Sequence, residues 1–257
     1  MDRPNPILTA RTLAQLTRPQ LAAMAGVASS TIGRIEKGEV DPSLGTLERV
    51  LQAAGFRLPT MEQVSDPAAV AAARGVLEDG PKLLDYPGAR AWVARWAAAG
   101  FITTKGSASD LATLAFRAGM AARLAVRPGI RSYARAGSWL DIAERISATG
   151  CRWAATGGAA ANRIVRSADA YWPVFYVDDP ERVAAKAGFE PSSGGGQPVL
   201  SLVPFDGVAD IGIEGTPDGL RWAASLQVLI DCYGGTGRMP EQADALAELF
   251  AGQGRAH

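Results

Sequence analysis

Histidine is all but missing from this chain: the single one is His257, the last of 257 residues. Its absence removes His-ligated metals, a Ser-His-Asp triad and a Cys-His nucleophile pair from any ordered core. Cysteine is nearly as scarce. Cys151 and Cys232 are too few and too far apart for a disulfide framework or a zinc site, and read as two buried thiols. No apolar run reaches the roughly 18 residues that span a bilayer. Met1-Asp-Arg-Pro-Asn-Pro6 lacks the basic-then-apolar order of a secretory signal. The expectation is a cytoplasmic protein with no membrane partner, no metal and no cofactor.

The charge that is present is unevenly spread. Lys and Arg match Asp and Glu at 26 each, yet basic residues outnumber acidic ones seven to five over 1–60 and eleven to eight over 61–150. Over 151–257 they fall behind, eight to thirteen. A basic N-terminal part joined to an acidic C-terminal part is what a nucleic-acid-binding region attached to something else shows.

An α+β multidomain chain of three regions is expected: a helical bundle over 1–60, a helical middle region over 61–137, and an α/β region over 138–257. In the first, Leu13, Leu16, Leu21, Met24 and Ala25 recur on one face as helical periodicity requires. Gly26 supplies a left-handed turn, Ile32 and Ile35 line the next helix, and Gly38 ends it. Asp41-Pro42-Ser43 caps a helix holding Leu44, Leu47, Val50 and Leu51, which Gly55 stops. Five short helices in about fifty residues are expected.

A linker is expected over Leu58–Asp66, then helices opened by Asp66-Pro67, by Pro87-Gly88 and by Asp110, with a polar loop over Thr103–Ser109. Arg123 to Arg135 alternates basic and apolar residues around Pro128-Gly129 and reads as a hairpin or extended arm. Its Arg123, Arg127, Arg131 and Arg135 suit phosphate contact, with Arg127 and Arg131 as the chosen DNA-binding candidates. From Trp139 on, a helix to Ile146 leads to strands at 152–156, 172–177, 198–203, 207–213 and 220–223. These alternate with helices at 159–165, 180–187, 226–232 and 240–251, and a flexible loop is expected over Ser192–Gly196. The six tryptophans read as core and packing residues, and Gly234-Gly-Thr-Gly-Arg238 as a loop.

Leu16 to Gly38 carries the sharpest chemistry. Two short helices meet at a glycine turn, with Ser29, Ser30, Thr31 and Arg34 opening the second. In a helix-turn-helix those positions meet base edges in the major groove while the preceding helix rests on the backbone. Hydroxyls suit bases or phosphates, and Arg34 suits guanine. Arg18, Gln20 and Lys37 are placed on phosphates. Gln20-Leu-Ala22, Gly26, Thr31-Ile-Gly-Arg-Ile-Glu-Lys-Gly38 and Pro42-Ser-Leu-Gly-Thr-Leu47 resemble the XRE, or Cro-like repressor, helix-turn-helix family. One departure stands out: Ala28 occupies the position where that family usually has a capping serine, and Ser29 is the expected substitute.

In the C-terminal part, Ala155-Thr-Gly-Gly-Ala159 reads as a strand-to-helix turn open to a phosphate. The following strand ends in Asp178-Asp179, adjacent acids that a strand points to opposite faces; Asp179 before Pro180 is a natural helix cap. The layout resembles a nucleotidyltransferase fold without its metal-binding spacing, so no enzyme activity is expected. The competing reading is a nucleotidyltransferase using Gly157, Gly158, Asp178, Asp179 and Asp210; another is a ligand-sensing repressor.

Trp139-Leu-Asp141, Trp153-Ala-Ala-Thr-Gly-Gly-Ala-Ala-Ala-Asn162, Gly188-Phe189, Leu226-Gln-Val-Leu-Ile-Asp231 and Gly235-Thr-Gly-Arg-Met-Pro-Glu-Gln-Ala243 resemble the C-terminal domain of AbiEi-type antitoxins of type IV toxin–antitoxin systems. That resemblance implies a DNA-binding antitoxin that represses its own operon, with a nucleotidyltransferase-like toxin as partner. The family usually opens with a winged helix; here a repressor-type motif takes that place, with the Arg123–Arg135 arm as the expected wing. A homodimer on double-stranded operator DNA is expected.

Overall fold

The structure, a computed structural model, describes residues 5–56, 64–103, 110–134, 137–165, 172–192 and 199–254. Most of the expected linker at 58–66 and of the loops at 103–109 and 192–196 lies outside the described residues, as do Arg135, Pro198 and His257. The chain divides into two compact units, Met1–Glu62 and Gln63–His257.

In the N-terminal unit the helices are set by their caps. The Asn5 side chain accepts from the Ile7 and Leu8 amides and opens α1 (Pro6–Leu13). Thr17 and Gln20 cap α2 (Arg18–Ala25) reciprocally, the Gln20 carbonyl accepting the Thr17 amide at 2.8 Å. Gly26, at φ +65°, ends α2 in a conformation that a β-carbon opposes. Next come α3 (Ser29–Glu36) and α4 (Leu44–Ala53), the latter capped by Ser43. Four helices are present among the described residues of this unit, where five were expected. The chain from Gly38 to Ser43 turns without a helix of its own. Ile7, Leu21, Ile32 and Val50 are closed from solvent, each stabilising the bundle by about 1.5–3 kcal/mol through burial.

The C-terminal unit holds one core, and the boundary expected near residue 137 does not divide it. Helices α5 (Pro67–Leu77), α6 (Pro81–Leu84), α7 (Ala89–Ala98) and α8 (Leu111–Ala121) share that core with a mixed sheet. Its strands are β1 (Arg131–Ala134), β2 (Trp153–Thr156), β3 (Val174–Val177), β4 (Val199–Pro204), β5 (Glu214–Gly215) and β6 (Arg221–Trp222), in the order β1-β4-β3-β2-β6-β5. β3 runs parallel to β4 and antiparallel to β2. Every residue of β2 and β3 is buried, so both faces of the sheet's centre are covered. The remaining helices are α9 (Trp139–Ala148), α10 (Gly157–Ile164), α11 (Pro180–Ala187), α12 (Ser225–Tyr233) and α13 (Met239–Gly254).

Two expected elements are replaced. The basic arm is a 3-10 turn at Leu124–Val126 followed by the edge strand β1, which pairs with β4 and not with a hairpin partner of its own. The strand expected at 207–213 is a run of turns. The Asp206 carboxylate draws them together by accepting the Val208 and Ala209 amides at 3.0 and 2.9 Å.

Candidate nucleic-acid interface

The third helix presents its polar side outward because Ile32 and Ile35 turn its apolar side into the bundle. At 100° per residue, Ser30, Gly33, Arg34 and Lys37 fall opposite those isoleucines, with Ser29 and Thr31 on the flanks. Ser29, Ser30 and Arg34 are exposed and Thr31 half-buried. None of the four side chains has a hydrogen-bond or salt-bridge partner among the described residues. Lys37 is exposed and stands 3.6 Å from Glu39.

The helix begins at Ser29, and Ala28 at the cap offers no side-chain acceptor. Ser29 therefore does not take over the cap; it is the first helical residue. The Ser29 and Ser30 amides have no acceptor among the described residues. Amides free at the positive end of a helix suit an anionic phosphate.

The helix is held in place from beneath by Glu36, whose side chain is 2% exposed. Its carboxylate accepts from Arg11 Nε at 2.6 Å and from Arg18 Nε. Burial pushes the Glu36 pKa up, but the hydrogen bonds and charges of the two arginines outweigh it and hold the group below its ordinary value. Arg18, half-exposed, is thus tied to α3 and not free for a phosphate alone. Gln20 gives its carbonyl to the capping box, leaving its amide nitrogen for an outside acceptor. Asn5 Nδ2 donates to the Ile35 carbonyl at 2.6 Å and fixes the helix end. Glu36 and Asn5 were missed as site residues; an acid placed directly after Ile35 on an inward face was the available signal for Glu36.

Residues 7–59 match the family model described as helix-turn-helix. The N-terminal unit is a helix-turn-helix domain. The match supports a DNA-binding transcriptional regulator. No curated protein and no solved structure matches the chain.

Outside the helix-turn-helix the other site candidates fare differently. Arg127 is a correction: it is 2% exposed and lies inside the C-terminal unit, out of reach of any phosphate. It donates to Asp231 at 2.9 Å, to the Ala122 carbonyl at 2.9 Å and to the Tyr176 hydroxyl at 3.1 Å. Asp231 also receives Thr156, Tyr176 and Gln227. Burial disfavours the charge on Arg127, and the Tyr176 hydroxyl, Asp231 and Asp206 more than restore it. Arg131 lies on the edge strand β1, half-exposed, and pairs with Glu181 at 3.0 Å.

The Gly157-Gly158 turn is buried and not open to a phosphate. A β-carbon at Gly157 would stand 2.6 Å from Met239 Cε, and Gln242 of α13 reaches the Gly158 carbonyl. Asp178 and Asp210 both accept from Arg152, at 3.0 and 3.4 Å. Asp179 caps α11 by accepting the Arg182 amide at 3.0 Å. Among the described residues no three His, Cys, Asp or Glu side chains are grouped to hold a metal ion, and no helix is long and apolar enough to cross a membrane.

Proposed function

We propose that this chain is a cytoplasmic repressor that reads a double-stranded operator through α3 and serves as the antitoxin of a type IV toxin–antitoxin pair. Its helix-turn-helix gives the address. Arg34 grips a base edge, Ser29, Ser30 and Thr31 supply hydroxyls, and Lys37, Arg18 and Gln20 hold phosphates. The observation that carries this reading is the outward face of α3, whose exposed serines and Arg34 have no side-chain partner among the described residues.

A helix of eight residues is about 12 Å long and reads only a few base pairs. Two copies on half-sites one helical turn apart would supply the remaining specificity, which favours a homodimer. The antitoxin role rests on the sequence resemblance of the C-terminal part. A fold related to the nucleotidyltransferases but without their activity is supported there by the protein partners that occupy Asp178, Asp179 and Asp210.

Selection from a random-sequence duplex pool by the full chain, followed by gel-shift titration at fixed salt, tests the first half. Recovery of no preferred duplex refutes it. Co-expression with the product of an adjacent nucleotidyltransferase-like reading frame tests the second: relief of growth arrest is the expected result. Magnesium-dependent nucleotide incorporation, lost in an Asp178→Ala/Asp179→Ala variant, would replace the antitoxin reading with an enzyme.

A further inference from the structure

Gly33 is the fifth of the eight residues of α3, where glycine weakens a helix roughly fivefold in its folding equilibrium relative to alanine. Among the described residues nothing requires it. Its φ is not positive, and a β-carbon built there meets no atom within 4 Å.

The other helical glycines compared have either a close internal neighbour or a place at a helix end. A β-carbon at Gly75 would stand 2.5 Å from Leu84, and one at Gly119 would stand 2.7 Å from the Gly234 amide and the Ile230 carbonyl. Gly45 and Gly252 sit in the first turn of α4 and the last turn of α13, where few intrahelical bonds depend on them. Gly33 alone among these stands mid-helix with open space beside it.

Its place on the helix says where the reason lies. Gly33 is flanked on the outward face by Ser30 one turn before, by Arg34 beside it and by Lys37 one turn after. We propose that Gly33 is a specificity-determining position: its bare backbone lets α3 seat against a base edge of the major groove at a distance that any side chain would prevent. The inference rests on the operator-binding reading above and adds the residue that sets the depth of the helix in the groove. Ser30 and Arg34 then reach their acceptors only because the helix between them can approach.

The test compares the full-length wild type with Gly33→Ala on the duplex that the wild type selects from a random pool. A β-carbon there improves the helix and clashes with none of the described residues, so the two readouts should move in opposite directions. Thermal unfolding should occur at the same or a higher temperature, while operator affinity in gel shifts at fixed salt falls by about tenfold or more. Affinity within about twofold of wild type overturns the proposal and leaves operator binding intact. A fall in both stability and affinity also overturns it, since the glycine would then serve the fold. If the wild type selects no duplex, the operator-binding reading fails and this inference falls with it.

Discussion

Arg127 and Asp231 stand 104 residues apart in sequence and 2.9 Å apart in space, both sealed from solvent. The pair joins the turn before β1 to α12, and the Tyr176 hydroxyl, held protonated by burial, bridges it to the sheet. Removing one partner leaves a buried charge uncompensated. Asp231→Ala is expected to destabilise the C-terminal unit by about 3–5 kcal/mol, whereas Arg127→Met combined with Asp231→Leu recovers most of that loss. All six tryptophans lie in this unit, so urea unfolding followed by tryptophan emission reads it selectively. A double variant as weak as the single one would show that the network does more than neutralise charge.

Glu36 gives the N-terminal unit a dependence on acid. Its folded pKa is depressed below the ordinary 4.5, so its contribution is complete above that value and is lost as pH falls through the folded one. Helical circular dichroism should decline in that acid range, and Glu36→Gln should flatten the dependence while costing about 3 kcal/mol at neutral pH. An unchanged acid profile in the variant would assign the effect to other carboxylates.

Ala28 leaves the recognition helix without a side-chain cap. Ala28→Ser supplies an acceptor for the free amides of its first turn and is expected to stabilise the unit by about 1 kcal/mol. Denaturant unfolding monitored by circular dichroism measures the gain; a loss of stability would place the cap elsewhere.

The proposed reading gives Arg34 to a base edge and Lys37 to a phosphate, and the two roles separate experimentally. Arg34→Ala should lower affinity for the selected operator by about 1–3 kcal/mol and relax the sequence preference. Lys37→Ala should weaken all duplexes alike and reduce the salt slope by about one. Equal losses on selected and scrambled duplexes for Arg34→Ala would remove its base contact.

The helix-turn-helix was readable in the sequence because its determinants are local: Thr17 with Gln20, Gly26, and the isoleucine pair Ile32 and Ile35 all lie within one or two turns of what they control. The starts of α5, α8 and α11 were readable for the same reason, each from an aspartate cap. Arg127 was not. Its neighbours Val126 and Pro128 are exposed, and the group that buries it belongs to a helix 104 residues later. The shared core of the middle helices left a fainter signal. Ala68 to Ala73 are closed from solvent on every side, and an all-apolar helix is a buried helix. That argued for a place inside a larger unit, not for a region of its own.

Sequence distance also sets the order in which the chain can mature during synthesis. Among the described residues of the N-terminal unit, the widest hydrogen bond, Asn5 to Ile35, spans 30 residues. Arg74 in the C-terminal unit reaches Val208 and Gln227, 134 and 153 residues on. Local pairings form fast and distant ones wait, so the hydrogen bonds described in the helix-turn-helix unit can all form long before α12 is made. In the C-terminal unit Arg74 lacks Gln227, and Arg127 lacks Asp231, until α12 has been made. A nascent or prematurely ended chain lacking Ser225 onward therefore has a finished helix-turn-helix unit and an unfinished C-terminal unit.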